Sequence, residues 1–460
     1  MRRLIMQIKK FLVRSTERTE DTQDRQGYTL WRLAFPIAFE SVFQMMFGFA
    51  DTFVLSTYSD TAVAAVGYVN QILDVLLLLF RVIASGTSIL LAQAIGAGKR
   101  QEQNQICTAA FYLSLFTGLL AFLGVFSGRL WLLRLVKTDD LLMPYAADYL
   151  KVMSTGLIFS SLFTVLTAIY RSSGKAFYTS AISVFSNLLN ILGDLLVVKG
   201  VLHVFTAVQD VALVTVAANG LACLAALILL LKEKMTFFRK KPEKAFLLAI
   251  VRLGVPAAGE SCSYKCSQLA VTMIVGALGT QTLAAKIYGM NFSRIMVLVP
   301  NSIAIAAGIL VGVQIGEENL FKARRTVSSC IQKGALAILI TDLPLILFGR
   351  FLLLAFTHDE EILKMAYLVL IMEAVTMFLK NINLTLGNSL RAAKDVVFPV
   401  VVSATSMWLI GTGLAWVLGV FLHMGLGGIF AAFFIDEGIR SLLLYQRWTK
   451  KTCAKGKMPS

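Results

Sequence analysis

Polar side chains at a helical spacing interrupt an apolar stretch near the N-terminus. Glu40, Gln44 and Asp51, with Phe47 between them, stand at successive steps of 4, 3 and 4 residues. Residues three or four positions apart share one face of an α-helix, so these side chains should line one face. If the stretch crosses a membrane, a carboxylate there is expected to take up a proton near neutral pH, because burial disfavours its charged form.

A second polar stripe consists of Asn187, Asn190 and Asp194, at steps of 3 and 4 inside the apolar run from Val184 to Val198. Carboxylate and amide oxygens from the two stripes would together suit a cation. Sodium requires several oxygen ligands, whereas a proton requires only one suitably placed carboxylate. The sequence therefore predicts a cation site. The alternative is that the stripe only forms hydrogen bonds to neighbouring helices.

Glu260, in the second half of the chain, has the same local setting as Glu40. Each of the two glutamates follows a proline by four residues near a predicted helix start. A helix N-terminus favours a carboxylate through its dipole. A structural role and a gating role are therefore both open for this pair of glutamates.

Six further ionisable residues are expected at membrane depth, where each charge costs roughly 2.5 to 3.5 kcal/mol. They are Asp74, Arg81, Lys265, Arg294, Glu373 and Lys380. The i, i+7 spacing of Asp74 with Arg81, and of Glu373 with Lys380, favours neutralisation within each pair or by a neighbouring helix. Lys265 has no partner nearby in sequence, so we expect it to face a substrate or to pair across the molecule.

The composition requires a membrane protein. Hydrophobic residues make up 57% of the 460 residues, charged residues make up 15%, and the mean hydropathy is +0.73. A crossing needs about 20 apolar residues, and about twelve such segments follow one another between Trp31 and Tyr445. The segments are continuous rather than alternating, which excludes a β-barrel. We expect a multi-pass protein of the cell inner membrane.

The net charge of +16 follows the predicted topology instead of forming a nucleic-acid surface. Lysine and arginine are concentrated in alternate loops and at both termini, so the positive-inside rule places both termini in the cytoplasm. The basic, amphipathic start of the chain suits a surface helix on anionic lipid. The six cysteines form no CxxC pair and are expected to be reduced packing residues.

The chain contains an internal repeat, at an offset of 220 in the residue numbering. RLAFPIAFE at 32–40 and RLGVPAAGE at 252–260 coincide at five of nine positions, and Arg171 recurs as Arg391. Each half holds six crossings, so the halves are parallel repeats in an all-α membrane protein of two pseudo-symmetric six-helix bundles. The predicted parts are a basic cytoplasmic N-terminal segment (1–27), two lobes (28–231 and 246–447), a cytoplasmic linker (232–245) and a basic tail (448–460).

The polar stripes are not repeated. At the repeat offset Asn190 and Asp194 correspond to Ile410 and Leu414, so the sequence predicts a cation site in the N-terminal half alone. The repeated basic turns at Arg171 and Arg391 are expected to contact lipid headgroups. No phosphate-binding loop or nucleophile–base pair occurs, which argues against an enzyme or an ATP-driven pump. The three histidines lie in or near predicted outer loops.

The sequence resembles the multidrug and toxic compound extrusion (MATE) family of the MOP flippase superfamily from about Tyr28 to Trp448. The resemblance is carried by FADTFV at Asp51, LLAQAIGAGK, RSSGKAF, NLLNILGD ending at Asp194, GVPAAGE and the closing GLGGIFAAFFIDEGIR. It implies two six-helix bundles in a V that alternates between inward and outward openings. It also implies a monomeric exporter of small organic molecules, such as drugs, dyes or metabolites, in exchange for sodium or protons, with no other cofactor.

By the same resemblance Asp51, Asn190 and Asp194 match the family's cation site, where Thr215 supplies a hydroxyl. These four residues are therefore candidate ligands of a sodium ion. Tyr264 stands roughly where some members carry an acidic residue. The predicted substrate cavity is lined by Glu40, Gln44, Phe47, Glu260, Tyr264 and Lys265. The extra basic residues leave a flippase for a lipid-linked saccharide, or an anionic or zwitterionic substrate, as the alternative.

Overall fold

The protein is described by a computed structural model that covers residues 29–58, 60–201, 206–232 and 242–454, without the side chains of residues 48–58, 60, 62, 207, 232, 453 and 454. All regular structure in these ranges is helical. The first six helices form the N lobe: α1 (Leu30–Tyr58), α2 (Asp60–Gly96), α3 (Arg100–Leu135), α4 (Met143–Ser172), α5 (Ala176–Val198) and α6 (Ala207–Lys232).

The second set forms the C lobe. It contains α7 (Lys244–Ala277), α8 (Thr280–Met296), α9 (Leu298–Gly316), α10 (Leu320–Leu347), α11 (Gly349–Leu353), α12 (Glu360–Ala392), α13 (Val397–Ser406, continued by π-helical turns at Met407–Leu414 and Val417–Phe421) and α14 (Gly425–Ala454). Ten helical segments in the described ranges are long and apolar enough to cross a membrane. With α1, and with α14 and its three buried charges, the crossings number twelve.

Two crossings of the C lobe are irregular. Crossing eight is split into α8 and α9 at Val297, and Pro300, which lacks a backbone N–H, follows in the first turn of α9. Crossing eleven changes from α to π geometry at Met407, a wider winding that usually occurs as short bulges at functional sites. Neither irregularity was predicted from hydropathy.

The two lobes meet at one end of the molecule. We call the end where α1 and α7 begin the inner end, since the positive-inside rule predicts that it faces the cytoplasm. Apolar clusters there cross between lobes: Ile250 of α7 packs with the N lobe, and Leu33 and Ile37 of α1 pack with α9. At the opposite, outer end the two clusters each stay within one lobe. The lobes therefore form a V that is closed at the inner end.

Glycines allow the closed end to pack backbone against backbone. A Cβ added to Gly96 at the end of α2 would lie 1.9 Å from the Val313 carbonyl oxygen of α9. In the equivalent contact, a Cβ added to Gly316 would lie 2.1 Å from the carbonyl oxygen of Gln93. Each residue of one contact is related to its counterpart in the other by the repeat offset. The interface therefore has the pseudo-twofold symmetry that the sequence repeat predicts.

Candidate functional site

A polar site lies between α5 and α6 of the N lobe. The Asn190 side-chain amide donates a hydrogen bond to the Thr215 hydroxyl at 2.9 Å. Asp194, one turn further along α5, is only 1% exposed. Gly193 allows α5 to pack closely against α6 at this site, because a Cβ at that position would lie 2.3 Å from a methyl carbon of Val214. The structure thus brings together three of the four residues predicted to bind the cation.

Asp51, the fourth predicted ligand, lies on α1 in the outer half of the lobe, but its side chain is outside the described residues. Asn187 is half-buried on α5, one turn before Asn190. The positions of Asp51 on α1 and of Asp194 on α5 are compatible with one shared site, because these two helices pack against each other. Carboxylate, amide and hydroxyl oxygens are suitable ligands for sodium, and a carboxylate alone suits a proton.

Glu40 belongs to a separate buried network. Its Oε2 accepts hydrogen bonds from Arg171 and from Ser180, each at 2.7 Å, and its Oε1 accepts one from Gln44 at 3.2 Å. The Glu40 side chain is 5% exposed and that of Arg171 is 20% exposed. This carboxylate is therefore compensated by a cation and does not belong to the Asn190–Thr215 site.

The C lobe contains the equivalent ion pair. Arg391 donates to Glu260, and the repeat offset relates these two residues to Arg171 and Glu40. Both arginine side chains are at most 20% exposed and are paired with carboxylates, so the headgroup contact predicted for these basic turns does not extend to the two arginines. The sequence contained a signal for these two ion pairs, because both the glutamate and the arginine recur at the repeat offset.

The cleft between the lobes carries a different set of predicted residues. Gln44 and Tyr264 are exposed, whereas Phe47 is buried. Lys265 on α7 pairs with Asp74 on α2 across the lobes at 3.5 Å, with side-chain exposures of 51% and 66%. Lys265 therefore pairs across the molecule, one of the two outcomes expected for it.

The remaining predicted charges divide into exposed and buried groups. Arg81 and Arg294 are exposed, so these two arginines were wrongly expected to be buried. Glu373 is buried, Lys380 is half-buried, and the two side chains lie 3.8 Å apart, so this i, i+7 ion pair is confirmed. Ser293 also donates to Glu373, at 2.7 Å.

Three charged residues of α14 escaped the sequence analysis. Asp436, Glu437 and Arg440 are each at most 6% exposed, and Arg440 donates to both carboxylates. Buried polar groups therefore occur in both lobes, whereas the prediction of a cation site in the N-terminal half alone concerns ion binding and stays a prediction. The sequence signal for this cluster was the presence of three ionisable residues within a five-residue stretch inside an apolar crossing.

The cysteines only partly match the expectation of packing residues. Cys107, Cys223 and Cys330 are buried, whereas Cys262 and Cys266 are exposed on α7, and all five are free thiols. Cys453 lies outside the described side chains. The three buried thiols are expected to be unreactive, because the thiolate is the reactive form and apolar burial disfavours it.

Comparison with known sequences gives matches over nearly the whole chain. The MatE family profile matches residues 36–196 and 256–417, two segments whose starts are separated by the repeat offset. The uncharacterized transporter YisQ of Bacillus subtilis is 32% identical, covering 92% of this chain and 94% of its own length. A probable multidrug resistance protein NorM of Thermotoga maritima is 25% identical, covering 92% and 93% of the two chains.

Solved structures share the fold at low sequence identity. A MATE protein in the straight conformation superposes with a TM-score of 0.86 at 18% identity, over 95% of this chain and 100% of the other. The outward-facing conformation of a multidrug resistance MATE family transporter of the MOP superfamily gives 0.85 with the same identity and coverage. A MOP superfamily transporter from Pyrococcus furiosus, described as having a binding pocket of reverse polarity, gives 0.83 at 18% identity, again over 95% and 100%.

Proposed function

Because this chain belongs to the MATE family of membrane transporters, we propose that it is a secondary active antiporter that exports small organic molecules in exchange for inward sodium or protons. We further propose that it works as a monomer in a bacterial inner membrane and that both of its termini lie in the cytoplasm. Probable multidrug resistance proteins among its relatives support organic molecules as the exported class.

The observation that carries the proposal is the pairing of Asn190 with Thr215 beside buried Asp194. Polar groups at this depth are costly in lipid and are usually retained for ion or substrate pathways. Cation binding here would neutralise carboxylate charge and alter the packing of α1, α5 and α6. Substrate would then be released from the cleft when the cation enters from outside.

The V shape supports alternating access. The lobes are joined at the inner end and separate at the outer end, so the cleft opens toward the side predicted to be external. Transport requires a second state in which the inner contacts open. In the proposed cycle, the cation-loaded protein passes from the first state to the second, and the substrate-loaded protein returns from the second to the first.

The second candidate is a flippase for a lipid-linked saccharide, or a transporter of anionic or zwitterionic molecules. Lys265 on the cleft wall and exposed Arg294 favour it, as does the relative described as having a pocket of reverse polarity. Pairing weakens this alternative, because Asp74 neutralises Lys265 and Glu373 neutralises Lys380. Export of small organic molecules by antiport therefore stands as the first proposal.

The deciding experiment is efflux from proteoliposomes with sodium and pH gradients imposed separately. We expect wild-type protein to expel a cationic dye when one of these gradients is present. Asp51→Asn and Asp194→Asn should abolish gradient-driven efflux while the protein remains folded and monodisperse. Normal efflux by both variants would exclude these carboxylates as the coupling site, and movement of a lipid-linked saccharide without either gradient would favour the flippase.

A further inference from the structure

The buried charges of the C lobe are concentrated where α14 packs against α12 and α13. Asp436 accepts hydrogen bonds from Ser406 of α13 and from Arg440. Glu437 accepts one from Arg440 at 2.8 Å and one from Asn383 of α12 at 2.7 Å. Two carboxylates that are adjacent in sequence therefore share a single guanidinium group.

This seam is the repeat equivalent of the N-lobe site. Ser406 is the repeat counterpart of Ser186, which donates across the α5–α6 seam to the Ala218 carbonyl at 2.8 Å. In the N lobe the charged residue of that seam is Asp194 on α5, whereas in the C lobe the charges lie on the other helix of the seam, α14. Direct comparison at the repeat offset therefore finds Leu414 opposite Asp194 and misses the cluster.

The charges of the C-lobe cluster do not balance when every group is ionised. Its three carboxylates are Glu373, Asp436 and Glu437, and its two cations are Lys380 and Arg440, which leaves one uncompensated negative charge. An uncompensated charge is costly in a low-dielectric environment, and neighbouring carboxylates that share one site commonly share one proton. Binding of one proton makes the cluster neutral.

A small cavity borders the cluster within the C lobe. It has a volume of about 20 Å³, room for about one water molecule, and both Asp436 and Arg440 line it. The Nε of Arg440, one of the lining residues, is buried without a hydrogen-bond partner among the described residues. Tyr264, which is 38% exposed, lines the same cavity. A water molecule in this cavity would give a proton bound at the cluster a path toward the partly exposed Tyr264.

From this geometry we propose that the C lobe contains a proton-exchange site on the Asp436–Glu437 pair, separate from the N-lobe cation site. One carboxyl group carries the proton, and its O–H bond breaks when the proton passes to water in the cavity, which leaves a carboxylate. The charged and titratable groups facing the pair are Glu373 and Lys380 of α12, Tyr264 of α7 and Arg440 of α14, with the Glu260–Arg391 pair beyond them. This inference does not depend on the proposed antiport, since it concerns proton binding alone.

The test is infrared difference spectroscopy on purified full-length protein in lipid, comparing acidic with alkaline pH. The measured signal is the carbonyl band of a protonated carboxylic acid. We expect Glu437→Gln and Asp436→Asn each to remove a band worth one carboxyl group per protein. Each variant keeps a hydrogen-bonding side chain of nearly the same shape, and thermal unfolding would show that it folds.

Two controls separate this site from other carboxylates. Asp395→Asn should leave the band unchanged, because Asp395 already contacts two cations, Arg447 at 2.9 Å and Lys451 at 3.4 Å. The band should also persist in Asp194→Asn, so failure of the N-lobe proposal would leave this result intact. The inference is overturned if neither α14 variant changes the titrating band, or if the lost band belongs to the Asp194→Asn variant instead.

Discussion

At the residue scale, the N-lobe site is defined by short side chains that reach across one helix seam. Asn190 uses its amide N–H on Thr215, and Thr215 donates in turn to the Val211 carbonyl at 3.1 Å. Asn190 can therefore present its carbonyl oxygen to a cation, and the Thr215 oxygen is held close to it. The hydroxyl is the one group of this pair that can be removed with almost no change of shape.

Thr215→Val should weaken cation binding without unfolding the lobe. If the hydroxyl oxygen contacts the coupling ion, its loss should reduce the apparent affinity by about tenfold, because a hydrogen bond or ligand contact with a charged group contributes about 1.5 kcal/mol. The measurement is the cation concentration that gives half-maximal efflux. Thr215→Ser retains the oxygen and should behave as wild type, and equal affinities for the valine and serine variants would exclude this role.

The Glu40–Arg171 pair should contribute to stability rather than to coupling. Arg171→Met leaves a buried carboxylate without its cation and should destabilise the N lobe by about 3 kcal/mol, since breaking one side of a buried pair is costly. Adding Glu40→Gln removes the stranded charge and should recover much of the loss. Thermal unfolding of the single and double variants checks this.

The control for this prediction is the exposed Lys99–Glu102 pair, whose contact distance is 2.8 Å. Solvent screens exposed pairs, which contribute little to stability, so Lys99→Met should hardly change the unfolding temperature. A single Arg171 variant as stable as wild type would show that Glu40 is compensated in another way.

At the element scale, close packing of α5 on α6 positions the site. The closest approach is at Gly193, which stands beside Asp194 in sequence and faces Val214, the neighbour of Thr215. A side chain there must displace either α6 or the Val214 side chain, because real Cβ atoms do not approach other atoms as closely as 2.3 Å. The distance from Asn190 to Thr215 is therefore under the control of a residue that does not itself bind the ion.

Gly193→Val should separate α5 from α6 and lower cation affinity by about tenfold to a hundredfold, the range seen when supports of ion ligands are displaced. Val214→Ala in the same chain should restore part of the affinity by making room. Gly124→Val on α3 is the matched control, since a Cβ there meets nothing within 4 Å. Cation-dependent efflux measures all three, and an unchanged affinity in Gly193→Val would contradict the assignment of the seam.

The elements were predictable where length and periodicity decide the outcome. Twelve crossings and the parallel repeat follow from apolar runs and from matches such as Pro36 with Pro256, and the family profile and relatives confirm them. The Asn190–Asp194 stripe was visible because it lies on a single helix. The Glu40–Arg171 pair depends on a contact between helices, which spacing along one helix does not report. The α14 cluster, in contrast, was visible in the sequence, because Arg440 stands four and three residues after its two carboxylates. The breaks in crossings eight and eleven depend on local backbone geometry that hydropathy does not register.

At the scale of the whole molecule, the inner end of the V is held by backbone packing more than by charge. The Lys265–Asp74 pair joins the lobes, but both side chains are more than half exposed, so it contributes at most about 1 kcal/mol. The glycines of α2, α7 and α9 bring the backbones of the two lobes into direct contact, and Gln93 adds a hydrogen bond to the Ala392 carbonyl at 2.6 Å. Residue size at these glycines should therefore set the balance between the two states.

Gly316→Leu should open the inner end. The added Cβ would meet the carbonyl oxygen of Gln93, and no side-chain rotation relieves a clash with backbone. Overpacking typically costs about 1 to 3 kcal/mol, so the population of the closed inner end should fall by about tenfold, and efflux should fall with it. Distances between spin labels on the inner ends of the two lobes measure this, after Cys262 and Cys266 are replaced by serine.

The matched control is Gly276→Leu on α7, where a Cβ meets nothing within 4 Å, and it should leave the distances unchanged. Because Gly96 and Gly316 are equivalent under the repeat, Gly96→Leu should open the inner end to a similar extent. If the lobes related by the repeat contribute equally to closure, the two single variants will show the same distribution of distances. A closed inner end in both leucine variants would show that closure does not depend on these backbone contacts. The balance between the two states would then be determined by the polar sites within the lobes.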